Sequence, residues 1–349
     1  MPDPAGDSPA TWTTEVASAT PPARFRYARV MALAVLLVVA VAVPFVLESY
    51  WVFTLTEVMI YAIATLGLDI VFGRAGQLSL AQASFFGLGA YITALTVDRL
   101  EVGLQFLLVI AAALVAGAAV AIPTLRVSGL RLALATLLFG ELFIWALNHL
   151  GNLTGGTQGL VVAPLQVGPL DSSDPVQAYV LVLVFAVAAT LMTVQVSRTQ
   201  FGRRLLAVRD SELAARSVGV AVVRTKVAAF MLSAVLAGVA GWLYAYIVGF
   251  IAPPTFDLFP SVYFVIAVIL GGAGRAAGAW LGAAYIVLVP QAFTIIGRPN
   301  QFPILGGAVL IVVALLLPGG LVDGVTRLAR FALAQVGRAQ SGLADRGTP

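Results

Sequence analysis

Long uninterrupted apolar runs are the feature that most constrains the fold of this chain. Ten stretches are mainly apolar, and most reach about 20 residues, the length with which an α-helix crosses a ~30 Å hydrocarbon core. They lie at residues 28–47, 51–72, 77–97, 103–122, 130–150, 177–196, 226–248, 258–270, 276–296 and 302–317. A transmembrane β-barrel would instead show ~10-residue strands of alternating polarity. The sequence therefore predicts an all-α, polytopic transmembrane bundle of eight to ten spans, with the short run 258–270 deciding the number.

The low charge content supports a membrane protein over a soluble one. Only 10% of the 349 residues are charged, whereas soluble domains carry roughly 25%. The chain contains no Cys and a single His, which excludes disulfides, thiolate chemistry and a histidine-based metal cluster or triad. We therefore expect no catalytic residues and no metal site, and a net charge of +4 does not suggest a nucleic-acid partner.

The basic residues predict how the spans are oriented. If the N-terminus is cytoplasmic and the spans alternate, 18 of the 20 Lys and Arg residues fall on the cytoplasmic side, and only Arg99 and Arg298 lie outside. The segment 258–270 must then change sides, because Arg275 would otherwise be external. Both termini are thus expected in the cytoplasm. The expected regions are a disordered tail at 1–27, a transmembrane domain at 28–322 with an external loop at 151–176 and an internal loop at 197–225, and a second tail at 323–349.

The segment FGRAGQLSLAQASFFGLGAYI, residues 72–92, places several polar groups in an apolar region. Plotted as a helix from Gln77, it has an apolar stripe that we expect to face lipid, formed by Leu78, Phe85 and Ile92. A second stripe holds the small residues Gly76, Ala83, Gly87 and Ala90, which permit close helix packing in membranes. Polar residues flank this stripe, with Gln77, Ser84 and Tyr91 on one side and Ser79 and Gln82 on the other. Two interpretations stay open, namely interhelical hydrogen bonds and the lining of a translocation pathway.

An acidic residue in the middle of the span 130–150 is a second candidate. Glu141 lies one heptad before Asn148 and therefore on the same helix face. An ionisable group at this depth is unfavourable unless it faces a cavity or a partner, so function and structural hydrogen bonding are both open. Asp69, near the inner interface, is placed to pair with Arg74.

The internal loop combines basic and acidic residues with apolar ones in a helical pattern. Its apolar members are Leu205, Leu206, Val208, Leu213 and Val218, and glycines at 202 and 219 bracket a predicted helix of about 15 residues. One interpretation is a basic loop that contacts anionic lipid headgroups. The other is an amphipathic helix that docks in a groove of a cytoplasmic partner. No G-x-x-x-x-G-K-[ST] motif is present, so any ATPase would have to be another chain.

Four motifs, in this order, resemble signatures of the permease subunits of bacterial branched-chain amino acid ABC transporters of the LivM type. They are GLDIVFGRAGQLSLAQASFFGLGAYITAL, GLRLALATLLFGELFIWALNHLGNLTGGTQGL, FGRRLLAVRDSELAARSVGVAVVRTKVAAFMLSAVLAGVAGWLYA and AVILGGAGRAAGAWLGA. The third is similar to the EAA-type loop through which such permeases contact their ATPases. The chain departs from the family at Asp69, where we expect Asn, at the charged residues Arg74 and Arg275, and at Leu213, which interrupts the EAA-like order.

The resemblance implies a non-catalytic permease subunit in the bacterial cytoplasmic membrane. Its expected partners are a second, related permease, two ATPase subunits that bind ATP and Mg, and an external substrate-binding protein, with no cofactor in this chain. Transport would proceed by alternating access. The substrate stays open between branched-chain amino acids and the urea, short-chain amides or aromatic acids carried on the same scaffold. A stand-alone secondary transporter is a further alternative.

The resemblance also assigns roles to individual residues. The expected ATPase-coupling residues are Phe201, Gly202, Arg203, Arg204, Arg209, Glu212, Ala214, Ala215 and Gly219. From topology alone, the external loop that meets the binding protein is expected to contain Thr154, Gly155, Gly156, Thr157 and Gln158.

Overall fold

The structure, a computed structural model, describes residues 38–124, 129–168, 170–297, 307, 319–324 and 326. The chain divides into two units, Met1–Val46 and Leu47–Pro349. The described part of the first unit is a short helical run followed by a 3₁₀ turn at Val43–Phe45, whose second residue is a proline. The first half of the predicted span 28–47, nearly all of 302–317, the whole tail 1–27 and most of the tail 323–349 lie outside the described residues.

The second unit is built almost entirely of helices, as the apolar runs predict. The described α-helices of six or more residues are α1 (Ser49–Leu68), α2 (Gln82–Thr96), α3 (Val102–Thr124), α4 (Leu130–His149), α5 (Pro175–Arg198), α6 (Gln200–Asp210), α7 (Glu212–Ser217), α8 (Val222–Val248), α9 (Leu258–Gly271) and α10 (Ala276–Ile295), and a single turn, Gly151–Thr154, follows α4. Four two-residue strands lie in loops, namely β1 (Leu160–Val161), β2 (Gln166–Val167), β3 (Leu170–Asp171) and β4 (Phe250–Ile251). Among the described residues, seven helices are long and apolar enough to cross a membrane.

The predicted span 77–97 is not a continuous helix, so the plot from Gln77 is wrong at its start. Helix α1 continues through a π-helical turn, Asp69–Arg74, and the chain then leaves helical geometry until α2 begins at Gln82. Gly76 has a φ of +69°, a conformation that glycine adopts readily, and it ends the helical run. Gln77 and Ser79 therefore lie in a non-helical segment, residues 75–81, that leads into a helix of only 15 residues.

Helices α1 and α8 form the buried centre of the bundle, since they bury most of their span and the other spans bury less. Helix α8 packs on α1, α2 and α3. Glycines bring α8 and α2 into backbone contact, because a Cβ on Gly89 would lie 2.0 Å from the Gly238 carbonyl oxygen. A Cβ on Gly241 would lie 1.8 Å from the Phe86 carbonyl oxygen. No side chain fits at either glycine, which is the close approach that small residues allow in membranes.

The two ends of the bundle are held by different contacts. At one end, β1 pairs antiparallel with β4, with Leu160 opposite Ile251. At the other end, the turn after α9 contacts the end of α1, where the Gly274 amide donates to Asp69. Helix α9 therefore runs from one end to the other, as the charge pattern predicts for the segment 258–270. With the 3₁₀ turn Pro253–Phe256 before it, the spanning segment reaches 19 residues.

Candidate functional site

The non-helical segment before α2 is held in place by hydroxyl groups from two other helices. The Leu80 amide donates to the Thr136 hydroxyl of α4 at 2.9 Å. The Ala83 amide donates to the Ser261 hydroxyl of α9 at 3.2 Å. These bonds satisfy amides that an interrupted helix leaves without an intrahelical acceptor. The break is therefore a built feature of the bundle, at the contact of α2, α4 and α9.

Three polar residues of this segment and of α2 are buried without a hydrogen-bond partner. They are Gln77, which precedes α2, and Ser84 and Tyr91 on α2, each at most 5% exposed, and they are called the polar strip below. Neither the amide atoms of Gln77 nor the hydroxyls of Ser84 and Tyr91 find a partner within the described part of the chain. A buried polar group left unpaired costs ~1–3 kcal/mol, so the strip is locally unfavourable in this conformation.

The two polar residues on the other flank, Gln82 and Ser79, do have hydrogen-bond partners. The Gln82 side chain donates to the Ala64 carbonyl oxygen at 2.6 Å and accepts from the Ser233 hydroxyl at 3.0 Å, so it joins α1, α2 and α8. The Ser79 hydroxyl accepts from the Ala81 amide at 3.4 Å. Gln82 thus follows the interhelical interpretation, whereas the polar strip does not.

The predicted lipid face of this segment is wrong. Phe85 is 1% exposed and packs with its ring centroid 5.8 Å from that of Phe139 on α4. Leu78 and Ile92 are only half-buried, so no continuous apolar stripe faces outward. The reason is that α2 is enclosed by α3, α4, α8 and α9, which leaves it little surface for lipid. The small residues at 83, 87 and 90 are buried as expected, whereas Gly76 lies in the turn.

Helix α4 has one inner and one outer face. Thr136 and Gly140 face α2, where a Cβ on Gly140 would lie 3.3 Å from the Ser84 hydroxyl. The outer face is exposed and consists of Leu134, Leu138, Glu141, Leu142, Trp145 and Asn148. Glu141 and Asn148 do share a face, but that face points away from the polar strip. Across the residues that the structure describes, the Glu141 carboxylate has no hydrogen bond or ion pair.

A polar junction joins the end of α1 to α6 and to the turn after α9. Asp69 pairs with Arg74 at 3.3 Å, as the sequence predicts, and its other oxygen accepts from the Gly274 amide at 2.6 Å. Arg209 on α6 donates to the Gly73 carbonyl oxygen at 2.6 Å. A cation at the C-terminal end of a helix is favoured by the helix dipole. Arg209 therefore caps α1 from a different segment of the chain.

The internal loop forms two helices, so the prediction of one helix of about 15 residues is wrong. Ser211 is extended, with φ −163°, and its hydroxyl accepts from the Ala214 amide, which starts α7 anew. Gly219 does end α7, with φ +80°. Gly202 marks no boundary, because α6 begins at Gln200 with Thr199 as its cap and Gly202 lies in the first turn.

The loop helices also have two faces. Leu205, Val208 and Ala215 are buried against the bundle, and Val208 and Ala215 form a small core with Val222. Leu206, Leu213 and Val218 are 47%, 81% and 76% exposed and are called the outer apolar patch below. Exposed basic residues lie on the same two helices, at Arg203, Arg204 and Arg216.

The remaining predicted coupling residues are divided between these faces. Glu212 forms an ion pair with the nearly buried Lys226 of α8 at 2.5 Å, so it anchors α7 to the bundle. Ala214 is exposed and Phe201 is half-buried. Only some of the residues in the EAA-like motif are therefore available to another chain.

The predicted external loop is more structural than its topology suggests. The Thr154 hydroxyl is buried and donates to the Leu147 carbonyl oxygen at 2.5 Å, which caps the end of α4. Gly155 and Gly156 form a turn with positive φ, and Gly156 is buried. Thr157 and Gln158 are exposed, so they alone of the five present side chains to solution.

A buried amide on α3 is a polar hub that the sequence argument missed. Gln105 donates to the Thr93 carbonyl oxygen and the Thr96 hydroxyl, and its oxygen accepts from Trp242 at 3.0 Å and Tyr246 at 2.6 Å. The available signal in the sequence was an amide within an apolar run.

Tyr246 also lines a cavity of about 200 Å³ beside the loop that precedes α5. Within the described ranges, no group of acidic, His or Cys residues is arranged to hold a metal ion.

Comparison with known proteins adds to this geometry. Residues 50–314 match the family described as "Branched-chain amino acid transport system / permease component". The chain is 34% identical over 282 residues, 73% of its length, to the high-affinity branched-chain amino acid transport system permease protein LivM of Escherichia coli, and spans 66% of that protein. It is 25% identical to the permease protein LivH of Salmonella typhimurium, over 75% of this chain and 91% of LivH. A shorter match, 37% over 142 residues, covers 38% of this chain and 40% of the autoinducer 2 import system permease protein LsrC of Klebsiella pneumoniae. No solved structure matches.

Proposed function

The chain belongs to the family of permease components of branched-chain amino acid transport systems, and we propose that it is the membrane subunit of an ATP-driven importer of branched-chain amino acids. It is a multi-pass membrane protein, and its relatives are non-catalytic permease subunits. ATP hydrolysis therefore belongs to partner chains, and this chain contributes the route through the bilayer and the surfaces on which the partners bind.

The observation that carries the proposal is the outer apolar patch on α6 and α7. Its two leucines, Leu206 and Leu213, lie among basic residues on α6 and α7, and the other face of these helices is packed against the bundle. An exposed apolar patch with a polar rim is typical of a protein interaction site. A partner ATPase that receives this patch in a groove would pull on α6 and α7 together, and their buried face would transmit the movement to α1 and α8.

A second, related permease would cover the outer face of α4. The Glu141 carboxyl group lies near the middle of a 20-residue span, where exposure to hydrocarbon is costly. A polar partner surface removes that cost, and the likeness of this chain to two different permease proteins, LivM and LivH, supports a related partner. Thr157 and Gln158, at the opposite end of the bundle from α6, are the candidates for contact with an external binding protein.

Reconstitution of the chain with its native partners tests the proposed function. We expect uptake of labelled leucine into proteoliposomes. This uptake should require ATP on the side of the membrane where the ATPases lie and the binding protein on the opposite side. Uptake by this chain alone without ATP would instead establish a stand-alone transporter. Titration of the binding protein with leucine, urea, short-chain amides and aromatic acids separates the substrate alternatives.

A matched pair of charge insertions tests the docking surface. Leu213→Glu places a charge in the outer apolar patch and should greatly reduce recovery of the ATPase subunits with the purified permease. Val161→Glu is the control, because Val161 is 80% exposed, as Leu213 is 81% exposed, but lies at the other end of the bundle. Equal recovery of the ATPases with both variants would refute the assignment of the patch.

A further inference from the structure

We propose that the polar strip of Gln77, Ser84 and Tyr91 binds the zwitterionic head group of the amino acid during passage, and that α4 is the cover that moves off it. The inference rests on the proposed function, since it assumes that an amino acid crosses this bundle. It separates two roles that the sequence left open for these residues. Gln82 is a structural bridge, and the polar strip is the route.

Some buried polar groups of this bundle have hydrogen-bond partners and others do not. Gln82 and Gln105 have partners for their amide nitrogen and oxygen atoms, although they are as deeply buried as the strip. Within the ranges that the structure describes, the buried side chains of the polar strip have no hydrogen-bond partner in the protein. The bundle is thus able to pair buried amides, and it leaves these three side chains unpaired. Unused donors and acceptors are what a transient ligand requires.

Helix α4 lies over the polar strip. Gly140 lies directly over the Ser84 hydroxyl, and Phe143 of α4 lies over Gly87 on the same side of α2. The lack of a side chain at Gly140 lets α4 close on the strip. The helix begins after Gly129, whose φ of +62° is one that glycine adopts readily. The outer face of α4 is exposed in this chain alone, so in the complete transporter α4 would move outward together with the second permease that covers this face.

The side chains of the polar strip match the chemistry of an amino acid. An amide and two hydroxyls supply both donors and acceptors but no charge, which suits a ligand that carries one ammonium and one carboxylate group. Gln77 precedes α2, and Ser84 and Tyr91 lie on α2 itself. The N-terminal end of an interrupted membrane helix favours a carboxylate. Phe256, whose ring lies 5.7 Å from that of Tyr91, supplies an apolar wall for the side chain of the substrate.

Cysteine accessibility gives a direct test, because the chain has no native Cys. In the complete reconstituted transporter, Ser84→Cys should react with a water-soluble thiosulfonate reagent during ATP turnover, and leucine should slow the reaction. Ser233→Cys is the matched control, since Ser233 is equally buried but is bonded to Gln82, and it should stay unlabelled. Absence of labelling at Ser84→Cys, labelling that leucine does not slow, or equal labelling of the control would each overturn the inference.

Removal of the hydroxyls provides a second readout that a structural role would not produce. Tyr91→Phe and Ser84→Ala should each lower leucine uptake by about 2- to 10-fold, the effect of one neutral hydrogen bond, while the midpoint of thermal unfolding stays equal or rises. Tyr246→Phe, which removes a hydroxyl bonded to Gln105, should lower that midpoint instead. A lower midpoint with unchanged uptake in the strip variants would refute the inference. Absence of ATP-dependent leucine uptake by the wild-type transporter would refute the proposed function itself.

Discussion

Substitution of Arg209 by methionine is expected to uncouple ATP hydrolysis from transport. Arg209 on α6 donates at 2.6 Å to the Gly73 carbonyl oxygen, at the end of the π-helical turn that extends α1. Methionine retains an unbranched chain that can rest on Gly76, as the Arg209 side chain does, but loses the charged donor. The variant therefore removes the link between α6 and α1 and leaves most of the packing in place.

The magnitude follows from the type of bond that is lost. Hydrogen bonds from charged groups contribute about 1.5–3 kcal/mol, and the interaction with the helix dipole, ~0.3–1 kcal/mol, is part of the same contact. Because Arg209 is an exposed residue with a partly buried bond, solvent screening favours the lower end of that range, about 1.5 kcal/mol. That value corresponds to an approximately tenfold shift in the ratio of docked to undocked α6.

The assay is the number of leucine molecules imported per ATP hydrolysed in the reconstituted transporter. We expect this ratio to fall severalfold for Arg209→Met while ATPase activity is retained. Arg224→Met is the matched control, since Arg224 lies in the first turn of α8, is exposed, and loses the same charge without being one of the predicted coupling residues. An equal ratio for the two variants would show that the bond to Gly73 does not transmit the movement.

Three further predictions concern stability and are measured by thermal unfolding in detergent. Gln105→Leu leaves the Trp242 and Tyr246 donors unpaired at ~1–3 kcal/mol each and should lower the unfolding midpoint by several degrees; a midpoint equal to that of wild type would contradict the hub. Gly89→Ala should impair folding because its Cβ meets the Gly238 carbonyl oxygen, whereas Gly103→Ala, with no atom within 4 Å, should be neutral or stabilising. Glu212→Ala should destabilise more than the double variant Glu212→Ala with Lys226→Met, because the single change leaves a nearly buried ammonium without its partner. The opposite order would show that this ion pair does not stabilise the anchor of α7.

Within the described residues, the positions of most spans followed from the apolar runs, because length and hydrophobicity are what the bilayer selects. The break before α2 did not follow from them. A helical plot assumes one continuous helix, and the interruption depends on the positive φ of Gly76 and on hydroxyls from Thr136 and Ser261, which are distant in sequence. The glycines of FGRAGQ were a signal for the turn, but they do not reveal which donors and acceptors complete it.

The candidate residues were separated only by their contacts. Gln77 and Gln82 are both glutamines in the same motif, yet Gln82 is paired on both sides and Gln77 is not. In the internal loop, Leu205 and Leu206 are neighbours in sequence, and one is buried while the other is exposed. These distinctions arise from the rotation of each helix against its neighbours. Composition and periodicity predicted that polar and amphipathic faces exist, but not which partner each face has.

The glycine contacts between α2 and α8 also determine how the pair responds to temperature. Backbone atoms meet at Gly89 and Gly238, so no side-chain rotamers become fixed when the two helices come together. The conformational penalty of each glycine arises when its helix forms, a step that in a bilayer precedes association. The contacts at these glycines therefore carry little entropic opposition, and they should stay closed on warming after the contacts that long side chains make between the same helices have loosened.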